Sequence, residues 1–386
     1  MNLVLLIAAF AVILAGAAVF WLGLRQRNVH QWFWAHVRSW FIPAPRIEGP
    51  VDLVFCFVDH FEPLVGKATV EHGARRLENW MREYPRVAAD FKDSDGVPPR
   101  HSYFFPAEEY QPQYLDRLGE ICRNGMGEVE IHLHHDNDTA ENFTRSMADF
   151  MKTLRERHGM LPDWKGRPAF SFIHGNWALD NSRCDGRWCG LNNEIQLLRD
   201  LNCYADFTFP SAPSDTQPST INSIYYAVDD PQRPKSHDTG VHLTAGGKES
   251  GDLLIIQGPL TLNWKRRKFG IWPRVENGDF AATGVAMRER VALWVRQAIH
   301  VKGMPSWRVV KIHTHGLNDD IFAFMFGSGA FRELCEVLRD EYNDGRRYRL
   351  HYVSARECYN IVKAAQAGRT GNAGAYRDFE IPPPPV

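Results

Sequence analysis

Sixteen histidines occur among the 386 residues, and several stand two apart in runs that otherwise read as β-strands. In Glu128-Val129-Glu130-Ile131-His132-Leu133-His134-His135-Asp136-Asn137-Asp138, alternation sends Val129, Ile131 and Leu133 to one face and Glu130, His132 and His134 to the other. An i, i+2 imidazole pair on a polar face can converge on one metal ion. Arg308-Val309-Val310-Lys311-Ile312-His313-Thr314-His315-Gly316 repeats the pattern, with Val310 and Ile312 on one side and Lys311, His313 and His315 on the other. Two more strand ends carry donors, Val58-Asp59-His60-Phe61-Glu62-Pro63 and Phe172-Ile173-His174-Gly175-Asn176-Trp177. One strand histidine is ordinarily a hydrogen-bonded core residue, whereas four strand ends supplying His or Asp together point to a site.

The elements that must position these residues alternate β with α. Apolar runs predict strands over 51–58, 102–105, 129–134, 169–173, 203–209, 253–256, 309–313 and 348–353. Amphipathic patterns predict helices over 69–84, 112–123, 140–157, 192–201, 285–301, 330–342 and 355–365, the last behind the capping box Ser354-x-x-Glu357. Repeated βα units imply an α/β fold with a parallel sheet or barrel, whose chemistry gathers at the C-terminal strand ends. The Pro-, Ser-, Asp- and Gly-rich stretch 211–251 is expected to be a long loop over that end. Residues 49–365 are expected to form one domain, and 366–386, closing on Pro382-Pro383-Pro384-Pro385, a mobile tail.

Charge narrows the function classes. With 45 basic and 46 acidic residues the net charge is −1, so no global field gathers a polyanion and nucleic acid is not an expected partner. Residues 3–24 contain no charge, and as a helix they span about 33 Å, enough for a bilayer core. Residues 1–24 are therefore expected to be a single transmembrane anchor. Nothing basic precedes the run, while Arg25, Arg27 and Arg38 follow it, which places the body on the cytoplasmic side of the inner membrane; Ala15-Gly16-Ala17 could instead imitate a cleavage site for export. The stretch 25–48, with Trp32, Phe33, Trp34, Trp40 and Phe41, reads as an interfacial segment or as a helix packing its aromatics on the body. Seven cysteines without a framework agree with a reducing compartment, and Cys184 with Cys189 makes only half of a metal site.

The order of Val54-Phe55-Cys56-Phe57-Val58-Asp59-His60, Glu130-Ile131-His132-Leu133-His134, Ile173-His174-Gly175-Asn176-Trp177, Tyr204-Ala205-Asp206-Phe207-Thr208-Phe209-Pro210 and Lys311-Ile312-His313-Thr314-His315 resembles the polysaccharide deacetylase superfamily. This is the NodB-like carbohydrate esterase family 4, and the nearest subgroup is that of lipopolysaccharide and capsule biosynthesis. The resemblance spans about residues 50 to 360. It implies a distorted (β/α) barrel and metal-assisted hydrolysis of an N-acetyl or N-formyl group, a linear amide, on an amino sugar of a surface polysaccharide or its lipid-linked precursor. It further implies a divalent ion, Zn before Co, Mn, Ni or Fe, on His132, His134 and either His60 or Asp59. Asp59 would be the general base, and His315, or His313, the acid on the leaving amine. His174, Trp177 and His313 would line the substrate, the rings of Trp177 and Trp264 could stack on a sugar, and Asp206 would orient a ligand histidine. Partners would be the glycan, the membrane and other polysaccharide biosynthesis enzymes. Two positions depart from the family pattern: His60 stands for a second Asp and His174 for an Arg.

Two other readings compete. His134-x-Asp136 with a distant His315 matches the ligand spacing of non-haem iron oxygenases, although the helices at 140–157 and 285–301 oppose the jelly roll such sites usually need. The departures at His60 and His174 would also suit a lapsed, non-catalytic glycan-binding scaffold.

Overall fold

The structure is a computed structural model that describes residues 3–43 and 45–386; Met1, Asn2 and Ala44 lie outside the described residues. The helices are α1 Leu3–Gln26, α2 Phe33–Ser39, α3 Val70–Ala88, α4 Pro112–Arg123, α5 Ala140–Lys152, α6 Glu194–Asp200, α7 Met287–Arg296, α8 Asp319–Phe322, α9 Ala330–Tyr342 and α10 Ala355–Gln366. The strands are β1 Val51–His60, β2 His101–Pro106, β3 Gly127–Leu133, β4 Asp163–Trp164, β5 Arg167–Pro168, β6 Phe170–His174, β7 Cys203–Asp206, β8 Ile224–Ala227, β9 Gly240–His242, β10 Leu253–Ile256, β11 Thr261–Lys268, β12 Trp272–Glu276, β13 Trp307–Thr314 and β14 Tyr348–Val353. The expected strands agree with these within a few residues. The 211–251 stretch departs: it contains β8 and β9, which pair antiparallel beyond β10, so it builds the sheet edge as well as loops.

One ten-stranded sheet runs β13-β1-β2-β3-β6-β7-β10-β8-β9, with β14 on the first half of β1. It is strongly curled. In a flat sheet β7 would lie five spacings, about 24 Å, from β13, yet Lys311 on β13 donates its ammonium to the Phe207 and Phe209 carbonyls just past β7, at 2.7 and 2.6 Å. Single bridges Thr244↔Lys302 and Ile299↔Val309 link the β9 exit back to β13. The α/β class and a distorted barrel shape follow from this topology.

The period-2 alternation sorts the side chains. Leu53, Phe55 and Phe57 of β1, with Val129, Ile131 and Leu133 of β3, pack under Trp80 of α3, Leu118 of α4 and Met147 of α5. Val54, Cys56 and Val58 face the concave side, where they meet Ala355, Cys358, Ile361 and Val362 of α10. Every residue of α10 is buried, so this helix fills the inside of the curl. Its polar groups are paired: Arg356 binds both oxygens of Glu128, and Asn360 serves the Arg377 and Ile381 carbonyls. The C-terminal segment expected to be mobile is thereby held. Ile381 is fully buried, Arg377 binds Asp93, and the Val386 N–H reaches the Gly159 carbonyl. Proline brings no N–H that needs a partner, and the Arg377 and Ile381 carbonyls ahead of the prolines are satisfied by α10.

Helix α1 includes Ile7–Gln26, a stretch long and apolar enough to cross a membrane, with only 6% of it buried. Leu24, Val29 and Trp32 pack on Ala212, Ile221, Leu260 and Leu262, segments that leave β7 and β10 at the C-terminal end of the sheet. Trp34 of α2 and, beyond that helix, Trp40, Phe41 and Ile42 are exposed. The β11–β12 hairpin, absent from the expected elements, lies beside them. Its outer half carries Lys265, Arg266, Arg267 and Lys268 with exposed Phe269 and Ile271.

Candidate functional site at the mouth of the curled sheet

The C-terminal ends of β1, β3 and β13 bring four of the expected histidines together. The His60 ring stacks on His315 at 4.5 Å and meets His132 edge-on at 4.8 Å; His132 and His134 are 4.6 Å apart. Glu62, two residues past His60, enters the middle of the group. Its Oε1 lies 3.1 Å from His132 Nε2, 3.7 Å from His134 Nε2 and 3.9 Å from His60 Nδ1. His60, Glu62 and His132 are buried and offer ligand atoms within 4.8 Å of one another.

Hydrogen bonds behind the rings fix their orientation. His132 Nδ1 faces the Ile173 carbonyl at 2.7 Å, and a carbonyl only accepts, so Nδ1 carries the hydrogen. His134 Nδ1 donates to Glu108 Oε1 at 2.5 Å, and the same oxygen accepts the His134 N–H at 3.2 Å. In the neutral rings both Nε2 atoms are then lone pairs facing one carboxylate oxygen, an arrangement that either a proton or a metal cation between them reconciles. Two ligand atoms about 2.1 Å from one ion stand roughly 3.0–3.4 Å apart, which matches the His132–Glu62 separation. Gly175 permits this packing: a Cβ there would strike the His134 ring and the Leu133 carbonyl.

Burial, reinforced by His315 and His132, holds the His60 imidazole well below the ordinary histidine range. Burial opposes charge on Glu62, but His132 and its neighbours outweigh it and keep the carboxyl low. Burial likewise opposes charge on His134, yet Glu108 and Glu62 raise it. Glu109, which accepts the Leu64 N–H at 2.5 Å, is pushed up to about 7 by burial and the nearby Glu62.

The remaining expected residues divide. His315 is half-buried at the open side. Trp177 lies 6.0 Å from His60 and 6.1 Å from His315, with its indole N–H unpartnered. Trp177 and Asn176 have φ of 56° and 55°, costly for residues with a Cβ. Asp59 alternates to the opposite face from His60. One oxygen accepts from His101 at 2.9 Å and the other from the Gly316 N–H at 2.8 Å, so the residue expected as base or ligand is instead tied to the β13 exit. His174 is fully buried and faces Glu194, away from the mouth; burial lowers it to about 3. His313 is buried beneath His315 with Nδ1 unpartnered. Asp206 binds the Thr208 N–H and hydroxyl at 3.0 and 2.7 Å, and Thr208 in turn accepts the His174 N–H at 2.9 Å. It thus acts on the β6 end, not on a ligand imidazole. Trp264 sits on the β11–β12 hairpin against Trp40. Glu62 stands in the run Val58–Pro63 but is not among the expected site residues; its signal is a carboxylate two residues past a strand-end His.

No protein-family model matches the chain, and no curated protein matches it. Solved structures to which the chain shows similarity include the 4-alpha-glucanotransferase from Thermococcus litoralis, at 10% identity over 79% of this chain and a TM-score of 0.40. Another is TK1436, a GH57 branching enzyme from Thermococcus kodakaraensis, at 10% identity over 75% of this chain and a TM-score of 0.38. The chain spans 39% of the first structure and 68% of the second. These are carbohydrate enzymes of a superfamily other than the deacetylases. The polysaccharide deacetylase resemblance is thus overturned, and with it the amino-sugar substrate and the amide-hydrolysing activity. At this identity and TM-score the likeness assigns neither fold nor activity.

Proposed function

We propose that the mouth is a divalent-cation centre of a carbohydrate-active enzyme, with the ion held by His60, Glu62 and His132 and flanked by His134. The observation that carries this is the pair of Nε2 atoms on His132 and His134, each set by a hydrogen bond behind the ring and each aimed at Glu62 Oε1. A bound ion supplies Lewis acidity, lowering the pKa of a water or sugar hydroxyl. The chain does the rest. His315, stacked on His60 at the open side, is placed to carry a proton. The ring of Trp177, beside His60 and His315, suits the apolar face of a sugar. Asp59 is a positioning residue that fixes Gly316, and through it His315.

We further propose that the substrate is presented at a membrane. α1 docks at the same sheet end as the site, Arg25 and Arg27 follow its apolar stretch, and the basic hairpin packs Trp272 against Phe20 of α1 and beneath Arg27. That charge suits an anionic cytoplasmic leaflet, with Phe269 and Ile271 entering the headgroup region. The body from residue 49 to the C-terminus acts as one domain.

The test is metal content and release of reducing ends from neutral and lipid-linked oligosaccharides by the detergent-solubilised full chain. The expected result is activity abolished by a chelator and restored by metal, with metal lost in Glu62→Gln and His132→Ala. Full metal content in both variants, or activity that ignores the chelator, would refute it.

A further inference from the structure

Behind the mouth lies a second group of metal-type donors. His135 follows β3, His174 ends β6, Cys189 lies in the loop after it, and Glu194 opens α6. His174, Cys189 and Glu194 are fully buried, and the His135 side chain is 6% exposed. Glu194 is central. Its Oε1 lies 3.1 Å from His135 Nε2 and 3.4 Å from His174 Nε2, and its Oε2 lies 3.3 Å from Cys189 Sγ.

His174 gives its Nδ1 hydrogen to the Gly175 carbonyl, which leaves Nε2 as a bare lone pair. That atom has no hydrogen-bond partner and points at a carboxylate that cannot donate. His135 Nδ1 lies 3.3 Å from Asp138 Oδ2 without a hydrogen bond to it, and its Nε2 faces Glu194 Oε1 inside the cluster at 3.1 Å. Four donors around one ion at about 2.0–2.3 Å stand roughly 3.3–3.6 Å apart, close to the separations seen.

We infer that His135, His174, Cys189 and Glu194 hold a second, closed, four-coordinate divalent transition-metal ion. The sulfur ligand disfavours magnesium and calcium. The thiolate and carboxylate cancel the charge of the ion, so the buried complex is neutral. Cys189 releases its proton to solvent as the ion enters. With every position filled by protein, the role is structural. Cys189 Sγ also accepts the Asn181 N–H at 3.2 Å, and Glu194 Oε2 accepts the Asp180 N–H at 2.7 Å. Asp180 and Asn181, with φ of 55° and 52°, share the strained loop that carries Trp177 to the mouth. The ion thus pins the loop on which the mouth depends, and its existence does not require the mouth to bind metal.

The experiment loads metal-stripped, detergent-solubilised full chain with cobalt(II) and records its absorption. Wild type is expected to show a near-ultraviolet thiolate-to-cobalt charge-transfer band, which in His132→Ala, with the mouth site disabled, saturates at one equivalent per chain. The band should persist in His132→Ala and Cys184→Ser and vanish in Cys189→Ser. A wild type without the band, or a band that survives Cys189→Ser, would overturn the inference. A mouth that binds no metal would appear separately, as unchanged metal content in His132→Ala with the band intact.

Discussion

Asp206 offers a test of how the interior is charged. It is fully buried beside Lys311, and burial lifts its carboxyl from 3.8 to about 7, against the pull of the two Thr208 hydrogen bonds. Between those values the folded chain keeps a proton that the unfolded chain has released. Stability contributed by the protonated carboxyl therefore falls as pH rises through the window, and the full penalty is present above about pH 7. At about 1.4 kcal/mol per pH unit the rise is worth about 4 kcal/mol. Asp206→Asn keeps the shape and removes the titration. Urea unfolding of wild type and variant from pH 4 to 8 should show the difference in stability moving toward the variant by about 4 kcal/mol as pH rises. Loss of a Thr208 hydrogen bond shifts the whole difference by about 1 kcal/mol but leaves its slope. A difference that is flat with pH, or that moves the other way, would show that Asp206 is ionised in the fold and that Lys311 compensates it.

Other consequences follow from particular contacts. Glu108→Gln weakens the acceptor behind His134 and should reduce metal affinity at the mouth by about 10- to 100-fold in competition with a chelator; unchanged affinity would remove His134 from the centre. Arg356→Ala leaves Glu128 buried and unpaired, and should cost about 3–5 kcal/mol in denaturant unfolding. Adding Glu128→Gln should recover much of that loss. A tryptophan placed at Phe269 should be quenched by brominated lipids when the full chain is reconstituted in anionic vesicles, and the absence of quenching would detach the hairpin from the membrane.

Much of the fold is written in local pattern. Alternation along β1, β3 and β13 correctly separates the helix-side apolar residues from Lys311, His132 and His313, because one face of each strand must be dry. The same rule bears on the first motif: neighbours such as Asp59 and His60 take opposite faces, so both cannot serve one ion. The placement of α10 was not legible. Arg356, Glu357, Asn360 and Lys363 look like a solvated helix face, and only the folded chain supplies Glu128 and the C-terminal carbonyls that satisfy them. The tail read as mobile for the same reason. The second donor cluster was hidden by distance along the chain, since His135 and Glu194 converge only when β3 and β6 pair. Motif order suggested a deacetylase because strand-end histidines recur wherever a barrel collects donors at its mouth, whatever bond is cleaved.

The central claim is a cation on His60, Glu62 and His132. It is tested most directly by calorimetric titration of divalent metal into metal-stripped full chain carrying Cys189→Ser, which removes the thiolate of the second cluster; a further donor group, Asp93, Asp95 and His351, is already paired with Arg377. The account predicts one equivalent bound, with affinity reduced more than about 100-fold by the further change Glu62→Gln. No saturable binding, or binding that Glu62→Gln leaves intact, would contradict it.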